Sequence, residues 1–248
     1  MLKYDTIFLY ISRYKYAAMS QKGEARMSNI PKVGELYDLS HTIAADFLRP
    51  DAYPWELLDG ISDFIRALGK TLDPEVFEDR GNDVYIAKNA KIAPSASIGG
   101  PCIIDCDAEV RHCAYIRGSA IVGKGAVVGN SCELKNCILF DGVQVPHFNY
   151  VGDSILGYKS HMGAGAVTSN VKSDKTPVSV KSGDTKIDTG RKKFGAMLGD
   201  FVEVGCNSVL CPGTVIGRNT NVYPLSRVRG VVGANSIYKD SDSIVPKH

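Results

Sequence analysis

The sequence has no long hydrophobic run near its start. The only apolar stretch there, residues 7–11, has five members, which is too short for a signal-peptide core or a membrane span. We therefore expect neither export nor membrane insertion. Because Met27 opens a stretch that resembles a more natural start, we expect residues 1–26 to be an extension.

The sequence also lacks a large excess of charge of either sign, since it has 29 Lys and Arg residues and 27 Asp and Glu residues, for a net charge of +2. Both signs are interspersed, which argues against a protein dedicated to nucleic acid or to a membrane surface. The seven cysteines are odd in number. Without an export signal, they favour a reducing cytoplasm over a disulfide framework.

Zinc is the alternative use of these cysteines, because one short segment holds Cys102, Cys106, His112 and Cys113. Their spacing matches no ordinary zinc signature, and small buried thiols suit a tightly packed coil. The favoured interpretation is therefore packing, with no metal site.

The segment before residue 84 has helical periodicity. Aliphatic residues recur at helical spacing at Leu58, Ile61, Ile65 and Leu68. Pro54 suits the first helical position and Gly69 the C-cap. Asp73 as N-cap with Pro74 behind it predicts a second, short helix. We expect residues 27–83 to form a short α-helical N-terminal segment.

From residue 84 the period changes to six. Ten consecutive positions six residues apart are large and apolar: Ile86, Ile92, Ile98, Ile104, Val110, Ile116, Val122, Val128, Leu134 and Phe140. The spacing returns at Leu198, Val204, Leu210, Ile216, Val222 and Val228. Such a period predicts an all-β fold, a parallel β-helix of hexapeptide repeats with three hexads per coil. We expect about six or seven coils over residues 84–240, followed by a tail at 241–248.

Residues 170–197 lose the period and are rich in Lys, Ser, Thr, Asp and Gly. This composition predicts a loop leaving the coil. Long ordered loops are usually functional, with a plain surface excursion as the alternative.

The period slips by two residues between Phe140 and Leu156, beside Pro146 and His147. The slip predicts that this turn departs from coil geometry. An imidazole suits proton abstraction near neutral pH, which makes His147 a candidate general base. The alternative is a purely structural histidine.

Arg117 and Lys135 each follow an inward aliphatic residue and are eighteen residues apart. This spacing places them one coil apart on the same face. They suit an anion held between them, whereas a solvated basic face with Glu133 as counter-ion is equally compatible with the sequence.

At these residues the sequence resembles the left-handed β-helix acyltransferases, and especially the acetyltransferase domain of the bacterial bifunctional enzyme that makes UDP-N-acetylglucosamine. The similarity covers roughly residues 84–235. In that family an arginine, a lysine eighteen residues later and a catalytic histidine twelve residues after that line the sugar-phosphate site. The same spacing gives Arg117, Lys135 and His147. The family motif His-x-x-Tyr-x-Gly-Asp is complete at residues 147–153.

The resemblance implies a left-handed coil, a homotrimer with sites between subunits, and an acetyl-CoA-dependent N-acetyltransferase acting on a phosphorylated or nucleotide-linked amino sugar. His147 would be the general base, and Arg117 with Lys135 would hold the phosphate. The residues implied to contact the sugar are Tyr150, His161 and Asn170. Those implied to lie along coenzyme A are Gly205 and Cys206, with Arg191, Lys192 and Lys193 near its phosphates.

Three positions depart from the family pattern. His161 stands where the family has an acceptor-binding asparagine, Val171 where it has a tyrosine, and Cys206 where it has a serine beside the acetyl group. These departures leave the acceptor open and favour the alternative of a non-catalytic sugar-nucleotide-binding protein. Fewer than ninety residues precede the coil, without a Gly-rich nucleotide-binding loop, so we expect no uridyltransferase domain.

The γ-class carbonic anhydrases share the coil and bind zinc through three histidines, two of them closely spaced. The candidate histidines here, His112, His147 and His161, lack that spacing. This function is therefore disfavoured.

Overall fold

The computed structural model describes residues 30–247, in which short helices precede a long stack of β-coils. The predicted extension, residues 1–26, lies outside the described residues. Within these residues no helix has the length and apolar character needed to cross a membrane.

The helical segment contains two α-helices, α1 (Val33–Leu36) and α2 (Ile61–Gly69). Three 3₁₀ segments accompany them, at Leu39–His41, Ala45–Phe47 and Pro54–Gly60. The predicted helix is therefore present from Pro54 to Gly69, although its first half has the tighter 3₁₀ winding.

The second predicted helix is wrong. Asp73 does cap the local turn, because its side chain accepts a hydrogen bond from the Glu75 backbone N–H at 2.8 Å. The chain completes only one turn, closed by Phe77 N–H donating to the Asp73 carbonyl at 2.8 Å. It then enters β1 (Phe77–Asp79), which pairs antiparallel with the first strand of the coil.

The coil has three faces of parallel strands. The first face stacks β2 (Val84–Ala87), β5 (Cys102–Ile104), β8 (Ala120–Val122), the C-terminal parts of β10 (Glu133–Leu139) and β12 (Tyr150–Leu156), β17 (Ala196–Leu198), β20 (Thr214–Ile216) and β23 (Val231–Val232). The second face stacks β3 (Lys91–Ile92), β6 (Glu109–Val110), β9 (Val127–Asn130), β11 (Gln144–His147), β13 (His161–Met162), β18 (Glu203–Val204), β21 (Asn221–Val222) and β24 (Ser236–Asp240). The third face stacks β4 (Ser97–Ile98), β7 (Tyr115–Ile116), the N-terminal parts of β10 and β12, β14 (Val167–Thr168), β19 (Val209–Leu210) and β22 (Arg227–Val228).

The predicted fold class, a left-handed parallel β-helix of hexapeptide repeats behind a short helical segment, is confirmed. The predicted number of coils is too low, because the first and second faces each stack eight parallel strands. Residues 243–246, which the sequence places in a C-terminal tail, form β25 (Ser243–Pro246) antiparallel to β24.

The slip in the period is real, but the structure puts it elsewhere. Leu134 pairs with Ile116 eighteen residues before it and with Val151 only seventeen residues after it. The missing residue therefore lies at the corner between the third and first faces. The turn at His147 keeps the ordinary length, because β11 pairs with β9 in unbroken register from Gln144 to His147.

The short corners also differ from a neighbouring corner in backbone conformation. The longer corner at residues 117–119 passes through two residues with positive φ, Gly118 and Ser119, whereas the short corners each pass through one, Asn136 or Asp153. Asn and Asp tolerate this left-handed conformation better than most side chains. Because one residue is missing here, Phe140 aligns with a glycine in each neighbouring coil, Gly123 and Gly157. Its ring packs against Tyr37 of the helical segment, with 5.1 Å between the ring centroids.

The predicted loop leaves the stack after β14 and returns at β17. It folds into a hairpin of β15 (Ser179–Ser182) and β16 (Thr185–Asp188). Val178, Val180 and Phe194 are buried, so the hairpin packs along the side of the coil instead of standing away from it.

Candidate active site

The corner between the third and first faces, which carries Arg117, Lys135 and Asp153 and is called here the Asp153 corner, holds a dense polar cluster. Asp153 is at its centre, with only 4% of its side chain exposed. Lys135 Nζ lies 3.3 Å from both carboxylate oxygens. The amides of Asn136 and Asn170 donate to the same carboxylate at 2.9 and 2.6 Å. A buried charge with this many donors is fully satisfied.

Tyr150 joins this cluster through Asn170, whose side-chain N–H donates to the phenol oxygen at 3.1 Å. Burial raises the pKa of Tyr150, and the nearby Asp153 and Glu133 carboxylates raise it further. The phenol therefore stays neutral and can donate a hydrogen bond. A side chain at Gly152 would displace the Tyr150 ring, because a Cβ there would overlap the phenol oxygen.

Arg117 lies on the same corner, one coil before Lys135. Its guanidinium donates to Glu133 at 2.8 Å, and this hydrogen bond and charge raise the pKa of Arg117. The sequence left open whether the two cations hold an anion or have Glu133 as counter-ion. In the structure each cation contacts a carboxylate, Glu133 for Arg117 and Asp153 for Lys135.

His147 lies at the end of β11 on the next corner, between the second and third faces, called here the His147 corner. Its backbone N–H donates to the Asn149 side chain at 3.1 Å. Asn149 is buried and donates in turn to the carbonyls of Gly163 and Ala166 at 2.8 and 3.0 Å. The backbone under His147 is thus fixed, while its imidazole is exposed and contacts no hydrogen-bond partner within residues 30–247.

One stack of residues runs along the His147 corner towards the C-terminus. The strand registers place Ala164 and Cys206 in successive coils above His147. At about 4.8 Å per coil, Cys206 lies roughly 10 Å from His147 along the axis. Cys206 is exposed, and the preceding Gly205 admits no Cβ because it would overlap the Pro224 backbone.

His161 lies on the second face, where its Nδ1 contacts a Glu203 carboxylate oxygen at 2.8 Å. It therefore pairs with the next coil of its own face. It is in register with Gln144, three residues before His147.

The three basic residues of the loop differ in their surroundings. Arg191 makes a two-pronged ion pair with Asp59 of the helical segment, with both N–O distances at 2.6 Å, and its side chain is only 13% exposed. This contact holds Arg191 against the N-terminal segment. Lys192 and Lys193 are exposed.

Residues 30–247 contain no group of three or more His, Cys, Asp or Glu side chains that could hold a metal ion. His112 instead contacts Ser95 Oγ at 2.7 Å and Cys113 Sγ at 3.2 Å. Burial raises the pKa of the Cys102 thiol to about 12, so this thiol stays protonated and packs as an apolar group.

Sequence reasoning missed the central role of Asp153 and the contribution of Asn136. The signal was available, since Asn136 and Asp153 are seventeen residues apart, which is the length of the shortened coils. Asn149 and Asp59 carried no comparable signal, because their partners come from other coils or from the loop.

Comparison with known proteins gives one match to a family model, described as "GMPPB C-terminal domain", over residues 98–191. A curated relative, "Bifunctional protein GlmU" of Methanococcus vannielii, is 32% identical over 201 residues, covering 78% of this chain and 47% of the relative. A second, "Bifunctional sugar-1-phosphate nucleotidylyltransferase/acetyltransferase" of Sulfurisphaera tokodaii, is 31% identical over 176 residues, covering 64% of this chain and 44% of the relative. The chain thus spans about half the length of these relatives.

Among solved structures, the "Acetyltransferase domain of PglB" from Neisseria gonorrhoeae is 15% identical, with a TM-score of 0.32 over 75% of this chain and 67% of that one.

Proposed function

Since this chain carries a hexapeptide-repeat domain of the acetyltransferase type, we propose that it is an acetyl-CoA-dependent N-acetyltransferase acting on a phosphorylated or nucleotide-linked amino sugar. The observation that carries the proposal is His147. Its imidazole is exposed and unpartnered within residues 30–247, while Asn149 holds its backbone rigidly. A general base needs this combination of a fixed position and a free nitrogen.

In this proposal His147 accepts a proton from the acceptor amine as the amine nitrogen attacks the thioester carbonyl carbon. The carbon–sulfur bond breaks, and coenzyme A leaves as the thiol. The Asp153 corner lies one short strand segment away, at the other edge of the third face. Tyr150 lies between the two corners and, as a neutral phenol, can donate a hydrogen bond to a sugar hydroxyl.

The phosphate of the acceptor would bind beside Arg117 and Lys135. Each of these cations already has a carboxylate partner. An arriving phosphate would therefore share the guanidinium and the ammonium with Glu133 and Asp153, or displace them. Phosphate contacts of this kind are charge-assisted and strong.

Coenzyme A would run along the His147 corner, past Gly205 and Cys206. Lys192 and Lys193 are exposed and can approach its phosphates, whereas Arg191 would first have to leave Asp59. Phe148 and Leu225 are exposed apolar residues of this corner, 60% and 79% accessible. A homotrimer would cover them, and light scattering after gel filtration tests it.

The proposal is tested by incubating the protein with acetyl-CoA and a panel of amino-sugar phosphates and nucleotide-linked amino sugars, and following the release of free thiol. Turnover with one acceptor supports it. Saturable binding of a sugar nucleotide with no thiol release would favour the second candidate, a non-catalytic sugar-nucleotide-binding protein. The carboxylate-paired cations and the His161–Glu203 pair favour that candidate.

Glucosamine 1-phosphate should be a poor acceptor in this panel. An asparagine presents a donor and an acceptor together, whereas the His161 imidazole is larger and is bound to Glu203. His161→Asn should therefore raise kcat/KM for glucosamine 1-phosphate relative to the best acceptor found. Efficient acetylation of glucosamine 1-phosphate by the unmodified protein would contradict this prediction.

Replacing Arg117 or Lys135 by alanine should weaken the binding of a phosphorylated acceptor by about tenfold or more. An unphosphorylated analogue should lose much less, and the affinity for coenzyme A should stay the same. The measurement is KM for the matched pair of acceptors in each variant. Equal losses for both acceptors would mean that these cations form only a basic surface.

A further inference from the structure

Two arginines differ from all others that the structure describes. Residues 30–247 contain nine arginines. Seven of them lie within 4.0 Å of a carboxylate: Arg49, Arg66, Arg80, Arg111, Arg117, Arg191 and Arg218. The remaining two, Arg227 and Arg229, have no such partner within the described residues.

These two arginines line the same cleft. It has a volume of about 270 Å³ and lies at the C-terminal end of the coil, between β22–β23 and the β24–β25 hairpin. Two guanidinium groups that repel each other and face one concave space, with no carboxylate among the residues that line it, make a site that favours an anion.

The walls of the cleft are partly apolar. Val231 and Ile244 line it together with Tyr238. Tyr238 is buried, and its hydroxyl donates to the Arg227 carbonyl at 3.0 Å, which fixes the backbone from which this arginine projects. Ser241 also lines the cleft and offers a hydroxyl.

The carboxylates of this region belong to the hairpin turn. Asp240 accepts a hydrogen bond from the Asp242 backbone N–H at 2.8 Å. Neither Asp240 nor Asp242 lies within ion-pair distance of Arg227 or Arg229 among the described contacts. Within residues 30–247, neither guanidinium of the cleft is therefore in direct contact with a carboxylate.

The cleft is separate from the proposed acceptor site. The strand registers place Arg229 on the same corner as Lys135, four coils further along. At about 4.8 Å per coil this is roughly 19 Å. A phosphate bound beside Lys135 cannot also contact Arg229.

We propose that this cleft binds an organic phosphate, with the phosphate between Arg227 and Arg229 and the organic part against Val231 and Ile244. Guanidinium groups match phosphate oxygens in geometry and charge, and an apolar wall has a use only if the ligand has an apolar or ring portion. The volume suits a small phosphate ester or the end of a nucleotide. The ligand would be a phosphorylated sugar or the nucleotide end of a coenzyme.

Isothermal titration calorimetry on the full chain, at low ionic strength and without acetyl-CoA, tests the proposal. The probes are glucose 1-phosphate, adenosine 3′,5′-bisphosphate and inorganic phosphate. Arg227→Gln and Arg229→Gln should each lower the affinity for the organic phosphates by about tenfold. Arg111→Gln removes the same charge from the second face and should leave the affinity within about twofold.

Two further variants locate the ligand. Ile244→Ser should lower the affinity for the organic phosphates and leave the affinity for inorganic phosphate unchanged. Arg117→Gln should leave binding at the cleft intact. The tighter of the two organic probes identifies the source, sugar phosphate or nucleotide. Unchanged binding in Arg227→Gln and Arg229→Gln, no binding of any organic probe, or inorganic phosphate binding as tightly as both, would overturn the proposal. Because these probes also fit the acceptor and coenzyme sites of the proposed function, binding that persists in Arg227→Gln and Arg229→Gln but is lost in Arg117→Gln belongs to the acceptor site and would overturn the proposal for the cleft.

Discussion

Replacing His147 by alanine should lower kcat/KM for acetyl transfer by a factor of about 10² to 10⁴, while the thermal unfolding midpoint hardly changes. The imidazole is exposed and has no hydrogen-bond partner within residues 30–247, so its removal costs no packing. The loss of a base that accepts the acceptor's proton would act on the chemical step. We therefore expect the change mainly in kcat, with little change in the affinity for coenzyme A.

The chain offers a matched control in His112. It is also exposed and lies on the same corner two coils earlier, because Asn130 pairs with His147 and lies one coil beyond His112. His112→Ala should leave acetyl transfer within about twofold of the unmodified protein. If His147→Ala retains full activity, or if both variants lose activity equally, His147 is not the general base.

Replacing Asp153 by alanine should produce the largest loss of stability, about 3 kcal/mol. The carboxylate is 4% exposed and accepts from Lys135, Asn136 and Asn170. Its removal leaves one ammonium and two amides without their acceptor in a largely buried corner. For a protein of this size the loss corresponds to a fall of about 6 to 12 °C in the unfolding midpoint.

Glu133 is the control for this prediction, because it is the carboxylate partner of the other cation on the same corner. Its side chain is 34% exposed, so solvent screens its ion pair with Arg117. Glu133→Ala should change the unfolding midpoint little. Equal shifts in the two variants would show that Asp153 does not hold the corner together.

Asp153→Asn separates charge from shape. Asparagine tolerates the positive φ of 49° at this position and retains one acceptor oxygen. We expect it to recover part of the stability lost in the alanine variant. It should still raise KM for a phosphorylated acceptor, because Lys135 and Asn170 lose the carboxylate that orients them. Recovery of stability with an unchanged KM would limit Asp153 to a structural role.

The six-residue period was enough to predict the architecture, because each coil repeats the same local pattern and stacks on its neighbours. An inward aliphatic residue every sixth position determines which side chains fill the interior, and Leu134, Val204 and Val228 are all buried as expected. The same arithmetic places Arg117 one coil below Lys135. It can describe only neighbours along the repeat.

The corners show where that arithmetic fails. Periodicity registers the two-residue slip but cannot locate it. Because Phe140 is itself apolar, the period places the whole slip after it, whereas the first missing residue lies before it. The strand registers located it at Asn136 and Asp153, two left-handed residues in corners that are one residue shorter than the corner at Gly118 and Ser119.

The sequence by itself determined the fold class, the stacking of residues one coil apart and the candidate residues His147, Arg117 and Lys135. Only the tertiary structure decided the partners of the charged groups. Arg191 meets Asp59 across 132 residues, and His161 meets Glu203 across 42 because the loop is inserted between their coils. Such contacts depend on how the loop and the helical segment pack against the coil. That packing is set by the burial of Phe194, Trp55 and Val180, for which a repeat pattern has no period.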